Sequence, residues 1–377
     1  MKIGIVCYPS IGGSGIVATE LGKALSRRGH QIHFFSYDIP RKLENATEEF
    51  HFHHVDVPVY PLFRFPPYTI ALASSIYEIS KREPLDLVHV HYAVPHCTSA
   101  YIAKQMLCSR KEKKLKVVAT LHGTDTELVG QMPSYKSVVE YSIDTSNAVT
   151  AVSQHLKKST LQQFVINKDI HVIYNPIDTT LYSPLAESES RSNSERVIVH
   201  ISNFRPVKRI HDVIKVFDLI AAAMPAKLLF IGEGPDRSNA DMLVCRLGLR
   251  DKVQFLGPRS DVGEILKRAD LLISTSESES FGLTIAEAMS CEIPVVATAV
   301  GGVPEVVEDG VTGYLAGVGD IQALAQGAIR ILWNENLRDR MGRAGRKRVL
   351  ELFHMDRITD QYIALYERVI NSEDDCP

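Results

Sequence analysis

The 377-residue chain lacks several features that would mark a specialised class. Its six cysteines (Cys7, Cys97, Cys108, Cys245, Cys291 and Cys376) include no C-x-x-C pair, which speaks against a zinc site and for reduced thiols in a cytosolic protein. No apolar run approaches the roughly 20 residues that a bilayer-spanning helix needs. The formal charge is -3, so there is no basic excess for general nucleic-acid binding. Asp-x-Asp, a pattern able to clamp a metal ion on a diphosphate, is missing near the strand ends. The opening MKIGIVCYP enters a strand pattern at once, so no signal peptide is expected. What is present is ample: 45% apolar and 23% charged residues, enough for two buried cores.

KIGIVCYP (2–9) is a continuous apolar run closed by a turn signal, the pattern of a parallel strand buried on both faces. SIGGSGIVATELGKALSRRGH puts a glycine-rich loop before a helix, and QIHFFS (31–36) is a second strand. This β-loop-α-β opening predicts a Rossmann-like domain. Further strands are expected at 85–92, 116–122 and 148–153, with HVIYNPID (171–178) closing this half. LAESESRSNSER (185–196) is polar and aperiodic, and reads as a linker. Strand-helix alternation then restarts with RVIVHIS, KLLFIGEG, KVQFLG, LLIST and PVVAT, giving a second α/β domain with a parallel sheet. The expected division is 1–184, a linker over 185–196, a second domain over 197–355, and a terminal amphipathic helix within 356–377 that packs back toward the first domain.

SESESFGLTIAEAMSCEIPVVAT (276–298) places Glu279 and Glu287 eight positions apart, either side of Phe281 and Gly282. Ionised carboxylates only accept, so they grip hydroxyl pairs well. Backbone amides between them point to the start of a helix near Leu283, which makes an anion site. The plainer alternative is that both glutamates merely complement the helix dipole. Gly13 and Ser14 of GGSG (12–15), after the first strand, let backbone amides approach a phosphate or sugar face. NFRPVKR (203–209) follows the first strand of the second domain, and its Arg205 and Lys208 could neutralise a diphosphate as a bond to it breaks.

The E-x7-E pattern, set in ESFGLTIAEAM and followed by PVVATAVGGVPEVV, resembles the retaining glycosyltransferases of family 4. The likeness covers the second half and recurs at GGSG and at His122-Gly123. It implies the GT-B fold, two Rossmann-like domains with parallel sheets facing a central cleft. It implies further that Glu287 holds the ribose, that Glu279 holds a hydroxyl of the transferred sugar, and that Ser280, Phe281, Gly282 and Leu283 meet sugar and phosphate. His122 would contact the sugar's 6-hydroxyl. The catalytic set is then His122, Lys208, Arg205 and Glu279, with Asn203 beside the donor. One departure stands out: many members carry Gly-Arg five residues before the lysine, where this chain has Ser202-Asn203, and Arg205 comes only three before Lys208. With Glu279 committed to recognition, retention is expected by front-face substitution, in which the departing diphosphate deprotonates the acceptor.

KIGIVCYPSIGGSGIVATELG, HVHYAVPHCTSAYIA, LHGTDTELVGQ and SNFRPVKR are similar to the branch of the family that serves bacillithiol biosynthesis. That likeness implies UDP-N-acetylglucosamine as donor, L-malate as acceptor and an α-linked product made in the cytosol. A small dianion wants cationic and hydroxyl donors, and Arg64, Tyr92, Thr124 and Lys136 are the candidates on first-domain loops. No cofactor and no metal are expected, and the partners are the two substrates, with no nucleic acid or stable membrane association; a homodimer stays open. His89 and His91, at period two on one strand, and HFHH (51–54) are read as packing rather than metal ligands. Other acceptors (inositol phosphate or a lipid), a UDP-sugar epimerase and a catalytically dead binding module remain as alternatives. SRKEKKLK (109–116), the best cue for a membrane surface, is read as a solvated connection.

Overall fold

A computed structural model of the chain describes residues 1–9, 13–40, 43, 49–59, 61–110, 112, 114–186 and 195–373. The chain divides into two compact units, Met1–Pro176 with Met355–Pro377, and Ile177–His354. The first unit ends at Pro176 rather than at 184. Ile177 already belongs to the second unit, donating its N–H to Phe353 O at 2.8 Å, and Tyr182 O there accepts from Ser290 Oγ at 2.6 Å. Of the expected linker, residues 187–194 lie outside the described residues.

The first unit contains strands β1 (Lys2–Val6), β2 (Gln31–Ser36), β3 (His51–His54), β4 (Leu87–His91), β5 (Lys116–Leu121), β6 (Ala148–Ala151) and β7 (Ile170–Val172). They form one seven-stranded sheet in the order β3-β2-β1-β4-β5-β6-β7, parallel throughout. Its long helices are α1 (Ser14–Arg27), α2 (Tyr68–Arg82), α3 (Thr98–Ser109), α4 (Pro133–Thr145) and α5 (Gln154–Gln163). The second unit repeats the plan with β8 (Arg196–Ile201), β9 (Ala226–Ile231), β10 (Val253–Phe255), β11 (Leu271–Ser274), β12 (Val295–Thr298) and β13 (Gly313–Ala316). Its sheet runs β10-β9-β8-β11-β12-β13, again parallel. The helices are α6 (Ile210–Ala223), α7 (Arg237–Arg246), α8 (Val262–Leu266), α9 (Leu283–Ser290), α10 (Val303–Val306), α11 (Ile321–Trp333) and α12 (Glu335–Leu352). In each sheet the order reverses beside the first strand, β1 or β8, so the loops after the strands flanking that point form a ligand-binding crevice.

The last helix, α13 (Met355–Asn371), belongs to the first unit. Its apolar residues Ile358, Tyr362, Leu365, Tyr366 and Val369 recur at helical spacing and join the core of Ile3, Ile5, Leu21 and Phe34. Fully burying each of the larger ones is worth about 1.5–3 kcal/mol. Tyr366 Oη bonds His89 Nδ1 at 2.7 Å, and His89 Nε2 meets Thr120 Oγ1 at 2.6 Å, so the packing reading of His89 takes a specific polar form. Two strands, β3 and β13, fall outside the sequence expectation: HFHH is polar and sits on the sheet edge, and GYLA is half-exposed. Cysteine needs one correction. Cys7, Cys97, Cys245 and Cys291 are free, but Cys108, half-exposed near the end of α3, is disulfide-bonded.

Candidate active site

In the second unit, three loops at the carboxyl ends of β8, β11 and β12 come together. The β8 loop carries Asn203, Arg205 and Lys208, and the β11 loop carries Ser276 and Glu279. Lys208 Nζ donates to Glu279 Oε2, and Ser276 Oγ donates to the same oxygen at 3.2 Å. Thr275 Oγ1 pins the lysine's own loop by donating to Lys208 O at 3.2 Å and Arg209 O at 3.0 Å. With its amide oxygen turned toward Arg205, Asn203 accepts from Nε and Nη2, both at 2.9 Å. The displaced arginine is thereby held by the residue that replaces the usual Gly-Arg.

The third loop presses on the second through glycine. Gly302 N–H donates to Glu279 O at 2.9 Å. A Cβ on Gly301, whose φ is +53°, would meet Glu279 O at 2.0 Å, and one on Gly302 would meet Ser280 O at 2.3 Å. Only glycine permits that approach, so the GG of the sequence sets the height of the Glu279 backbone. Gly282, at φ 95°, turns the chain into α9, and Leu283 is the first residue of that helix. Phe281 is buried and anchors the turn edge-on against Phe353, ring centroids 5.2 Å apart. Glu287, on α9, is buried at 6% exposure. A neutral histidine supports the floor: His200 Nδ1 meets Ile273 O at 2.9 Å and Nε2 meets Ser202 Oγ at 2.8 Å, while burial holds its pKa down to about 4.

The first unit has its own cluster where β1, β4 and β5 end. Gly13, at φ 61°, precedes α1, and Ser14 Oγ donates to Tyr92 Oη at 2.5 Å; Gly12, the first glycine of the loop, lies outside the described residues. Tyr92 follows β4 with φ 91°, a conformation costly for any residue but glycine, and its ring lies 5.3 Å from that of His122. Asp125 ties two of the loops. One carboxylate oxygen accepts from Ala93 N at 2.8 Å, the other from His122 N at 3.2 Å and Gly123 N at 3.1 Å. Burial nonetheless pushes the Asp125 carboxyl up to about 6, against the pull of those amides. His91 Nδ1 and His122 Nε2 are 2.8 Å apart. Burial, then neighbouring imidazoles, hold both rings neutral, His122 down to about 3.

Thr124 is half-buried at the start of the turn after His122. The other two acceptor candidates are exposed. Arg64 lies on an exposed loop with its guanidinium 5.4 Å above the Phe65 ring, and Lys136 is exposed on α4. Among the described residues no hydrogen bond or ion pair ties either to Tyr92, Thr124 or His122. Asp125, His91, His200, Ser276 and the Gly301–Gly302 pair were not singled out as site residues from sequence. For Asp125 the one usable signal is position, two residues after Gly123; Gly301–Gly302 stand in the GGVPEVV run that carries the family resemblance.

Comparisons with known proteins fit this geometry. The model for glycosyl transferases group 1 matches residues 184–348, and that for glycosyltransferase family 4 matches 11–181. The chain is 45% identical to the N-acetyl-alpha-D-glucosaminyl L-malate synthase of Bacillus anthracis, over 99% of this chain and 98% of that protein. A D-inositol 3-phosphate glycosyltransferase of Mycobacterium tuberculosis is 32% identical, over 53% of this chain and 44% of its own length. Among solved structures, the sucrose-phosphate synthase of Thermosynechococcus elongatus aligns over 99% of this chain and 100% of its own, with TM-score 0.82 and 21% identity. Anabaena HepE in complex with UDP and glucose aligns over 97% and 99%, with TM-score 0.81 and 22% identity. At such identities the structures establish the two-domain GT-B fold.

Proposed function

The chain belongs to glycosyltransferase family 4, and from that premise we infer that it is a retaining enzyme moving N-acetylglucosamine from UDP-N-acetylglucosamine to the hydroxyl of L-malate. The observation that carries the acceptor is the 45% identity spanning 99% of the chain; a relative acting on an inositol phosphate matches only 53% of it.

On this reading the second unit holds the donor. Glu287 accepts from the ribose hydroxyls and Glu279 from a sugar hydroxyl, while Lys208 and Arg205 meet the diphosphate. Lys208 and Glu279 neutralise each other. Donor binding gives each a new partner, so the pair is held in place before the substrate arrives. The amides of Ser280, Phe281, Gly282 and Leu283 lie at the start of α9, where a phosphate or sugar oxygen is favoured. On the first unit, Gly13 and Ser14 approach the donor, His122 offers Nδ1 to the sugar, and Tyr92 with Thr124 addresses the acceptor, assisted by Arg64 and Lys136.

The bond from the anomeric carbon to the diphosphate oxygen breaks as the malate hydroxyl attacks the same face, and a departing phosphate oxygen takes the hydroxyl proton. No cofactor enters the scheme, because the two basic side chains supply the charge that leaving-group departure needs. Turnover undiminished by excess EDTA is the expected result, and loss of activity restored by magnesium would contradict it. Among the described residues no helix is long and apolar enough to cross a membrane; the reaction is placed in the cytoplasm as part of the same proposal.

The test of the acceptor is UDP release from UDP-N-acetylglucosamine with L-malate, lactate or inositol phosphate. Malate should exceed lactate by at least about tenfold in kcat/KM, since losing a carboxylate removes a charge-assisted pair. Equal rates with lactate or inositol phosphate would remove malate and leave the transferase reading standing.

A further inference from the structure

The amino-terminal half of the first sheet carries a histidine group that the transfer reaction does not use. His33 on β2 and His51 on the edge strand β3 are register partners, and His53 lies two residues on, so all three rings share one face. The rings of His33 and His51 stack with centroids 4.6 Å apart, and His33 Nδ1 is 2.9 Å from His53 Nε2. Glu83, at the C-terminal cap of α2, closes the group, its Oε2 3.8 Å from His33 Nε2.

Two details set this apart from ordinary packing. His33 is fully buried, yet its Nε2 makes no hydrogen bond and faces a carboxylate. Gln31 Nε2 donates to His51 Nε2 at 2.9 Å, which shows that this nitrogen presents a lone pair. Ligand atoms of His33, His51 and Glu83 all lie within 4.8 Å of one another. Donors about 2.0–2.1 Å from a tetrahedral ion sit roughly 3.3 Å apart, so small rotations of exposed His51 and half-buried Glu83 bring them to that spacing. The same exposure provides an entry path.

We propose that His33, His51 and Glu83 form a site for a divalent transition metal of the imidazole-binding kind, zinc being the first expected, with His53 orienting His33 from behind. Two imidazoles and one carboxylate leave a fourth position for water, or for His53 should the ring swing across. The metal would pin β3 to β2 and to the end of α2, fastening an edge strand that is otherwise short and polar. It lies near Lys2, at the start of β1, whereas Ser14, Tyr92 and His122 gather where the strands end; the site is structural and separate from turnover.

The groups that face His33 are His51 and His53 from β3, Glu83 from α2 and Lys2 from β1, whose Nζ is 4.0 Å from Glu83 Oε2. Burial first, then the neighbouring rings, hold His33 down to about 4, so it is a neutral ligand at pH 7. Lys2 is the cation an ion would displace from Glu83.

The experiment is a zinc titration of the tag-free, chelator-stripped full chain by calorimetry, with thermal melting in parallel. One saturable site and a raised melting temperature are expected, with His51→Ala and Glu83→Gln each weakening zinc at least about tenfold. His54→Ala, an exposed change on the opposite face of β3, should bind as the parent does. Cobalt(II) should give visible absorption bands that the same two variants lose, which distinguishes this site from zinc held by Cys245. Absence of saturable binding, or unchanged affinity in both His51→Ala and Glu83→Gln, would overturn the proposal and leave the histidines as a packed stack.

Discussion

Glu279 and Glu287 carry the same charge eight positions apart, yet their surroundings assign them different work. Glu287 is nearly enclosed on α9, and Glu279 shares a half-open site with Lys208 and Ser276. Glu287→Ala should weaken UDP by about ten- to a hundredfold, the loss of a charged acceptor to a buried hydroxyl being worth about 1.5–3 kcal/mol. Glu279→Ala frees Lys208, so UDP affinity should hold or rise while turnover falls; UDP titrations of the two variants check this, and equal losses would contradict it. Asp125 adds a pH dependence. Its ionised form bonds three amides, and its pKa of about 6 lies above the ordinary carboxyl value. A carboxyl raised in the folded state opposes folding when ionised, so acidification through pH 6 stabilises this group's share of the fold while loosening the clamp. The expected result is a fall in kcat/KM below about pH 6 without a matching fall in melting temperature. Asp125→Asn should abolish that limb, lower kcat/KM by about tenfold and leave UDP affinity unchanged. The two glutamates were legible in the sequence because a motif fixes their spacing; Asp125 was not, because one of the amides it holds, Ala93 N–H, lies 32 residues back on another loop.

At the scale of elements, two contacts are open to test. Gly302 has an ordinary backbone φ of -80°, so an alanine there is excluded not by strain but by the backbone of Ser280 and Phe281, above all Ser280 O. Gly302→Ala should displace the Glu279 loop and lower kcat/KM by at least about tenfold, the scale of losing a positioned group. Gly317→Ala, in open space, should change little, and kinetics of the pair measure the difference. Tyr366→Phe removes the bond from α13 to His89 and leaves a buried ring nitrogen unpaired. A stability loss of about 1–3 kcal/mol is expected in thermal melts, with kinetic constants near the parent's. Runs such as PVVAT and KVVATL were legible as strands because a parallel sheet buries both their faces. HFHH was not, because an edge strand shows solvent and neighbours together and its pattern belongs to neither period.

At the scale of the molecule, the repeated strand-helix order made two parallel sheets legible, and the comparisons place both halves within known glycosyltransferase families. The chain's path between them was less legible. Residues 177–184 read as the end of the first domain but belong to the second unit, through the contacts of Ile177 and Tyr182, which no local pattern announces. The acceptor is the part least written in local chemistry, because its pocket draws on single residues from separate loops. The central claim is that N-acetylglucosamine passes to malate with its anomeric configuration kept. Proton NMR of the product formed from UDP-N-acetylglucosamine and L-malate measures this directly. An α-linked glucosaminyl malate appearing in step with UDP is the predicted result; a β-linked product, or free N-acetylglucosamine with malate unchanged, would contradict the account.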